Sequence, residues 1–197
     1  MTVKKSSGDV YGVTATGVGA VYNLGTCTAR SVTVKVSGTT QAGGVAGLNA
    51  ASGTIGQDPE TPTSISITVQ NGTTVSSTTQ GGGVAGRNEG LIQNATNRAG
   101  SIQVVNQYAG GIAGSNSGRI YGCMHAASGN RVLYTGGGFA GGSAGCNEVG
   151  RKLENVPMNG SFTAAHRAAG GLAAPTYRSH PTPPGQRSGH SGHPHAI

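Results

Sequence analysis

Apolar and polar residues alternate with a period of two in four separate runs. These are Ser31-Val32-Thr33-Val34-Lys35-Val36, Ser64-Ile65-Ser66-Ile67-Thr68-Val69, Ser101-Ile102-Gln103-Val104-Val105 and Arg131-Val132-Leu133-Tyr134. Such alternation, rich in Val, Ile and Thr, predicts strands buried on one face. No stretch sustains a 3.6-residue period, and glycine costs about 1 kcal/mol at each helical position. The chain reads as all-β.

Between these runs a motif recurs: Gly-Gly, an aliphatic residue, Ala-Gly, any residue, Asn. It stands at Gly43-Gly44-Val45-Ala46-Gly47-Leu48-Asn49, Gly82-Gly83-Val84-Ala85-Gly86-Arg87-Asn88 and Gly110-Gly111-Ile112-Ala113-Gly114-Ser115-Asn116. Each copy continues into Gly53-Thr54-Ile55, Gly90-Leu91-Ile92 or Gly118-Arg119-Ile120. A degenerate first copy ends at Tyr22-Asn23. A fourth opens at Gly137-Gly138-Phe139-Ala140-Gly141 and reaches Cys146-Asn147 after an insertion. A broken copy starts at Gly170-Gly171-Leu172-Ala173. From second glycine to second glycine the steps are 39, 28, 27 and 33 residues.

Repeats of this length predict a stack in which each unit completes its neighbour's core. The expected fold is a parallel β-solenoid (β-helix), right-handed, of about five imperfect coils with about three short strands per unit. The motif's aliphatic residue, and the Ile or Leu after the following turn, point inward. Glycines serve the bends through positive φ or close backbone approach. The recurring Asn residues (Asn23, Asn49, Asn88, Asn116, Asn147) suit a hydrogen-bonded ladder along the axis. Residues 1–16 read as a lead-in or partial coil, 17–174 as the solenoid, and 175–197 as a disordered tail rich in Pro, His and Gly.

These motifs resemble the GLUG repeat, named for its Gly-Leu-any-Gly core and found in bacterial secreted and surface proteins, among them adhesins and IgA-cleaving peptidases. The likeness spans Gly17 to Ala174. It implies a non-catalytic structural or adhesive segment of a larger exported polypeptide, extracellular or at the cell surface, with host or surface glycans or matrix proteins as partners. Its alternatives are a passive stalk or spacer, or an accessory region of a secreted peptidase or polysaccharide-degrading enzyme. The resemblance brings no catalytic residue, cofactor or metal with it.

Composition narrows the picture further. Glycine contributes 37 of 197 residues, Trp is absent and aromatics are 4%, so small side chains must fill the interior. The net charge of +7 comes from scattered basic residues, without the dense stripe or interleaved aromatics of a nucleic-acid binder. No segment has the length and apolarity of a membrane span. Nor does an apolar run follow Lys4-Lys5, so an export signal is not expected in this chain.

Candidate chemistry is sparse. Six acids occur, and only Asp58 and Glu60 are close, on the Pro-rich loop Gln57 to Pro62. Paired-carboxylate hydrolysis is therefore not expected. His190, His193 and His195 lie in the tail without the fixed geometry a metal needs. Cys123 occupies the slot that holds Ala95 one unit earlier, which predicts a small buried position. A Cys123–Cys146 disulfide remains open at this point. Tyr22, Tyr108, Tyr121 and Tyr134 are candidate binding platforms: a cluster on one face favours adhesion, whereas dispersed and packed rings favour a spacer.

Overall fold

The computed structural model describes residues 33, 35–38, 40–56, 67–126, 136–157, 170 and 172–173 in full. It also gives the backbone of short strands at 5–6, 9–10, 22–23, 26–27, 31–32, 132–135, 158–159, 161–164 and 169. The chain is a parallel β-solenoid with five sheets of five strands each. Sheet I contains Ser31–Val32, Ile67–Val69, Ala95–Asn97, Met124–Ala126 and Met158–Asn159. Sheet II contains Lys35–Gly38, Thr74–Ser77, Ser101–Val104, Val132–Thr135 and Ser161–Ala164. Sheet III contains Gln41–Gly43, Gln80–Gly82, Tyr108–Gly110, Phe139–Gly141 and Ala169–Gly170. Sheet IV contains Tyr22–Asn23, Ala46–Asn49, Ala85–Asn88, Ala113–Asn116 and Ala144–Asn147. Sheet V contains Thr26–Cys27, Thr54–Ile55, Leu91–Gln93, Arg119–Tyr121 and Lys152–Glu154.

Within every sheet the strands follow chain order, so each belongs to the next coil. We number the complete coils 1 (31–56), 2 (67–94), 3 (95–122) and 4 (123–155), with partial coils at 22–27 and 158–173. A separate antiparallel pair joins Lys5–Ser6 to Asp9–Val10. Each coil has five strands rather than the three expected. The alternating runs fill only sheets I and II, and the glycine motif itself forms sheets III and IV. Sequence alternation did not reveal these last two, because Gly and Ala carry no polar–apolar contrast.

The fourth repeat also differs from its sequence reading. Gly110 pairs with Gly141, Ala113 with Ala144 and Asn116 with Asn147. The true copy is therefore Gly141-Gly142-Ser143-Ala144-Gly145-Cys146-Asn147, with no insertion and with Ser143 in the aliphatic slot. Gly137-Gly138 instead precede the strand Phe139–Gly141, which pairs with Tyr108–Gly110. The pairing of Ala144 with Ala173 places the broken last copy in register.

Inward rows run along the axis. Ile55, Ile92 and Ile120 are fully buried in sheet V, and Val84 and Ile112 are fully buried at the bend between sheets III and IV. Ile67, Ala95, Cys123 and Val156 form another buried row. Even the bends stay hydrogen-bonded from coil to coil: the Val84 nitrogen donates to the Ile112 oxygen at 3.0 Å, and the Ile112 nitrogen to the Ser143 oxygen at 2.8 Å. One row is polar. Asn97 and His125 follow Val69 in sheet I and are buried. The Ala99 nitrogen donates to Asn97 Oδ1 (2.9 Å), which turns the Asn97 amide nitrogen toward His125 Nδ1 at 3.0 Å. This orientation lets the Asn97 amide nitrogen donate to His125 Nδ1.

Four of the five motif asparagines form the expected ladder, and the side chain of the fifth, Asn23, lies outside the described residues. Asn49 donates to Asn88, Asn88 to Asn116 and Asn116 to Asn147, each at 2.7 Å through Nδ2 and Oδ1. All four are buried. An amide carries both donor and acceptor, so a repeated Asn can satisfy both neighbours at the strand spacing of about 4.8 Å.

The motif glycines answer close approach rather than positive φ. A methyl group on Gly86 would sit 2.7 Å from the Ala42 nitrogen, one on Gly114 2.7 Å from the Gly81 nitrogen, and one on Gly145 2.7 Å from the Ala109 nitrogen. Sheets III and IV thus pack backbone against backbone. The left-handed conformation appears elsewhere, at the corner from sheet V into sheet I: Asn94 (φ 49°), Gly122 (58°) and Asn155 (49°). Only Gly and Asn occupy that corner in coils 2 to 4, as its dihedrals require.

Two outcomes follow. Asn88→Leu removes the acceptor of Asn49 and the donor to Asn116, and should lower stability by about 2–5 kcal/mol. Urea unfolding followed by circular dichroism measures this. Gly114→Ala should cost about 2 kcal/mol or more through backbone displacement. Gly122→Asn should be nearly silent in the same assay, since Asn already holds that corner in both adjacent coils.

Candidate functional site

The outer surface is shaped by the turns between sheets IV and V. In coils 2 and 3 the ladder Asn is followed by two residues before the next strand, Glu89-Gly90 and Ser117-Gly118. In coils 1 and 4 there are four: Ala50-Ala51-Ser52-Gly53 and Glu148-Val149-Gly150-Arg151. The longer turns close on themselves, with the Gly53 nitrogen donating to the Ala50 oxygen (2.7 Å) and the Arg151 nitrogen to the Glu148 oxygen (3.1 Å). They stand above the short pair. The result is a trough of about 430 Å³, lined by both long turns and floored by Gly90 and Gly118. Its walls are three coil steps apart, about 14 Å along the axis.

The floor is held from both sides. Between coils, the Glu89 nitrogen donates to the Asn49 oxygen (2.8 Å), the Ser117 nitrogen to the Asn88 oxygen (2.7 Å) and the Arg119 nitrogen to the Gly90 oxygen (2.9 Å). From beneath, the ladder amides donate to the turns: Asn49 to the Gly53 oxygen (3.3 Å), Asn88 to Gly90 (3.2 Å), Asn116 to Gly118 (3.4 Å) and Asn147 to Arg151 (3.0 Å). Glycine at the floor is dictated by stacking, since a methyl group on Gly118 would lie 2.7 Å from the Glu89 oxygen.

Charge gathers at the coil 4 wall. Arg119 Nε lies 2.6 Å from Glu154 Oε2, and Lys152 Nζ lies 3.7 Å from Glu154 Oε1. The hydrogen bond from Arg119 holds the Glu154 carboxyl below its usual range, with the charge of Arg119 and of Lys152 adding to it. The Arg119 guanidinium also covers the Tyr121 ring, 5.1 Å from its centroid. Arg151 is exposed on the same wall. On the floor side, Arg87 Nε lies 2.9 Å from Glu89 Oε1.

The residues singled out from sequence fare unevenly. Tyr121 belongs to this face, beneath Arg119. Tyr108 is half-buried in sheet III and stacks on Phe139, with centroids 6.1 Å apart. These two tyrosines lie on different sheets and make no shared platform. The side chains of Tyr22 and Tyr134, the loop from Gln57 to Pro62 with Asp58 and Glu60, and the tail with His190, His193 and His195 lie outside the described residues. Among the described residues no group of three or more His, Cys, Asp or Glu is placed to hold a metal, and no helix is long and apolar enough to cross a membrane.

The trough itself escaped sequence reading, although its signal was present. The interval from the motif Asn to the next strand changes between copies, and turn length sets the surface relief.

Cys123 and Cys146 are both free thiols, which settles the open question against a disulfide. Cys123 is fully buried, with Sγ 3.3 Å from the Tyr121 oxygen and 3.6 Å from the Ile92 oxygen. Burial pushes its thiol from 9.0 up to about 12. Cys146 is half-buried and also raised, by burial and by the nearby Glu148 charge, with a Tyr108 hydrogen bond opposing. Neither is an activated nucleophile.

Comparison with family models, with characterised proteins and with solved structures returned no match. The trough and its turns therefore carry the functional argument.

The thiols give a direct check on the packing. A thiol reagent at neutral pH should modify Cys146 and leave Cys123 untouched until the chain unfolds, as peptide mass mapping would show. The folded state keeps the Cys123 proton between pH 9.0 and about 12, whereas the unfolded chain releases it. Cys123 therefore leaves stability intact below pH 9 and lowers it as pH rises toward 12. Cys123→Ala should flatten that alkaline decline in unfolding titrations.

Proposed function

We propose that this chain is a non-catalytic attachment segment of a bacterial surface or secreted protein, of the GLUG-repeat type, whose solenoid presents a binding face to glycans or matrix proteins. The observation that carries the reading is the trough between the long turns of coils 1 and 4. Solenoids bind through extended surfaces whose shape follows from loop variation on a regular stack. Here the stack supplies a rigid floor, and the two long turns supply walls with hydroxyls and charges. A floor fixed by coil-to-coil hydrogen bonds and by the ladder loses little freedom on binding, which favours affinity.

A second reading is supported by the tyrosines. Tyr108 packs on Phe139 and Tyr121 lies under Arg119, and such dispersed, covered rings suit a passive stalk that holds another domain away from a surface.

Binding of the full chain to a panel of glycans and matrix proteins separates the two. Attachment through the trough predicts saturable binding that falls about tenfold in Ala51→Trp, because the new ring fills the trough from an exposed wall position and leaves the thermal unfolding curve unchanged. A folded chain that binds nothing on the panel would sink the attachment reading in favour of the stalk.

A further inference from the structure

We propose that the trough accepts a short segment of an acidic glycan, a chain of sugars bearing carboxylate or sulfate groups, laid along the solenoid axis with an acidic group at the coil 4 wall. This rests on the attachment reading above and names its ligand class.

The charge distribution points to an anion. Arg119, Arg151 and Lys152 line the trough at one end, and Glu154 is the carboxylate that meets two of them. Glu89, on the floor side, is matched by Arg87. The Glu148 charge is felt at Cys146, and Glu148 does not line the trough. Three cations against Glu154, with Glu148 on the same turn but outside the lining, leave a net positive charge at this wall. The Lys152 side chain is 70% exposed and Arg151 is also exposed, so both can reach a ligand. Arg119 is already oriented by Glu154 and Tyr121, and an oriented guanidinium fork suits the two oxygens of a carboxylate or sulfate. The net charge of +7 draws anions from a distance.

The remaining lining points to sugar. The opposite wall carries the Ser52 and Thr54 hydroxyls, and the glycine floor brings peptide backbone within reach of a flat, hydroxyl-bearing chain. The walls stand about 14 Å apart along the axis, so a short extended segment lies over coils 2 and 3 with its ends at the coil 1 and coil 4 turns. Single-stranded nucleic acid shares the negative charge but relies on aromatic rings to stack its bases. Tyr121 is capped by Arg119 and does not offer its covered face.

The test measures fluorescence polarisation of the full chain with four labelled probes of equal length: a sulfated glycosaminoglycan oligosaccharide, a polygalacturonate oligosaccharide, a neutral glucan oligosaccharide and single-stranded DNA. At least one acidic glycan should bind about tenfold more tightly than the neutral one, and the comparison of sulfated with uronate probes identifies the group. Raised salt should weaken that binding. The double variant Arg151→Ser/Lys152→Ser should lose about tenfold in affinity for it. Both positions are exposed, and an unchanged thermal unfolding curve would establish that the fold is intact. Ala51→Trp should weaken the same interaction from the opposite wall. Equal affinity for acidic and neutral glycans, an undiminished affinity in the double variant, or DNA binding as tight as the acidic glycan would each overturn the proposal. Neutral-glycan or matrix-protein binding that Ala51→Trp abolishes would overturn it while leaving the attachment reading standing. Absence of all binding would remove both.

Discussion

The asparagine ladder is the interaction on which the rest of this structure depends. Three hydrogen bonds of 2.7 Å link the buried amides of four coils, and Asn88 and Asn116 each take one from one neighbour and give one to the next. Each amide nitrogen also donates to a carbonyl of the turn that follows. A single set of side chains thereby fixes coil register and ties down every turn of the candidate site. Unpaired buried amides are costly, so a slip of one coil against the next would be penalised at every rung. Long-range order along the axis and local order at the surface share one cause.

Close backbone approach is the second constraint. Sheets III and IV meet where a methyl group on Gly86, Gly114 or Gly145 would intrude on the opposite strand. This explains a protein rich in glycine and poor in large rings: the interior is narrow, and Ala, Val and Ile complete it. Among the polar residues that enter it, Asn97 is supplied as a partner for His125. The second glycine of the motif in coil 3 makes room for that imidazole, since a methyl group on Gly111 would sit 2.6 Å from His125 Nδ1. Fold and composition are two views of the same packing.

Surface relief is free to vary because the core is so regular. The turn after each ladder Asn can have two residues or four without disturbing the strands on either side. Two long turns flanking two short ones produce a walled trough on a rigid floor. Its charges lie on outward positions of sheet V and the adjoining turns, where substitution leaves the inward isoleucine row intact. A binding face on such a stack arises from small differences between copies.

How much of this was legible in the sequence depends on what each residue reports about itself. The Asn ladder, the inward Ile row of sheet V and the small buried slot shared by Ala95 and Cys123 could all be read, because a repeated residue at a repeated interval has a single geometric meaning in a stack. Two of the five strands per coil could not, since Gly-Gly-Val-Ala-Gly has no alternation to betray extended backbone. The fourth copy was misplaced for a related reason: Gly137-Gly138-Phe139-Ala140-Gly141 and Gly141-Gly142-Ser143-Ala144-Gly145 are near-equivalent as strings, and only strand pairing distinguishes them.

The sequence by itself determined an all-β parallel stack, its ladder and its small-residue interior, because these follow from local identity repeated along the chain. Only the tertiary structure decided that the motif glycines serve contact between sheets rather than positive φ, that Cys123 and Cys146 stay apart, and that Arg119, Lys152 and Glu154 meet on one wall. Those outcomes depend on which residues of different coils become neighbours, and that is set by register and turn length acting together.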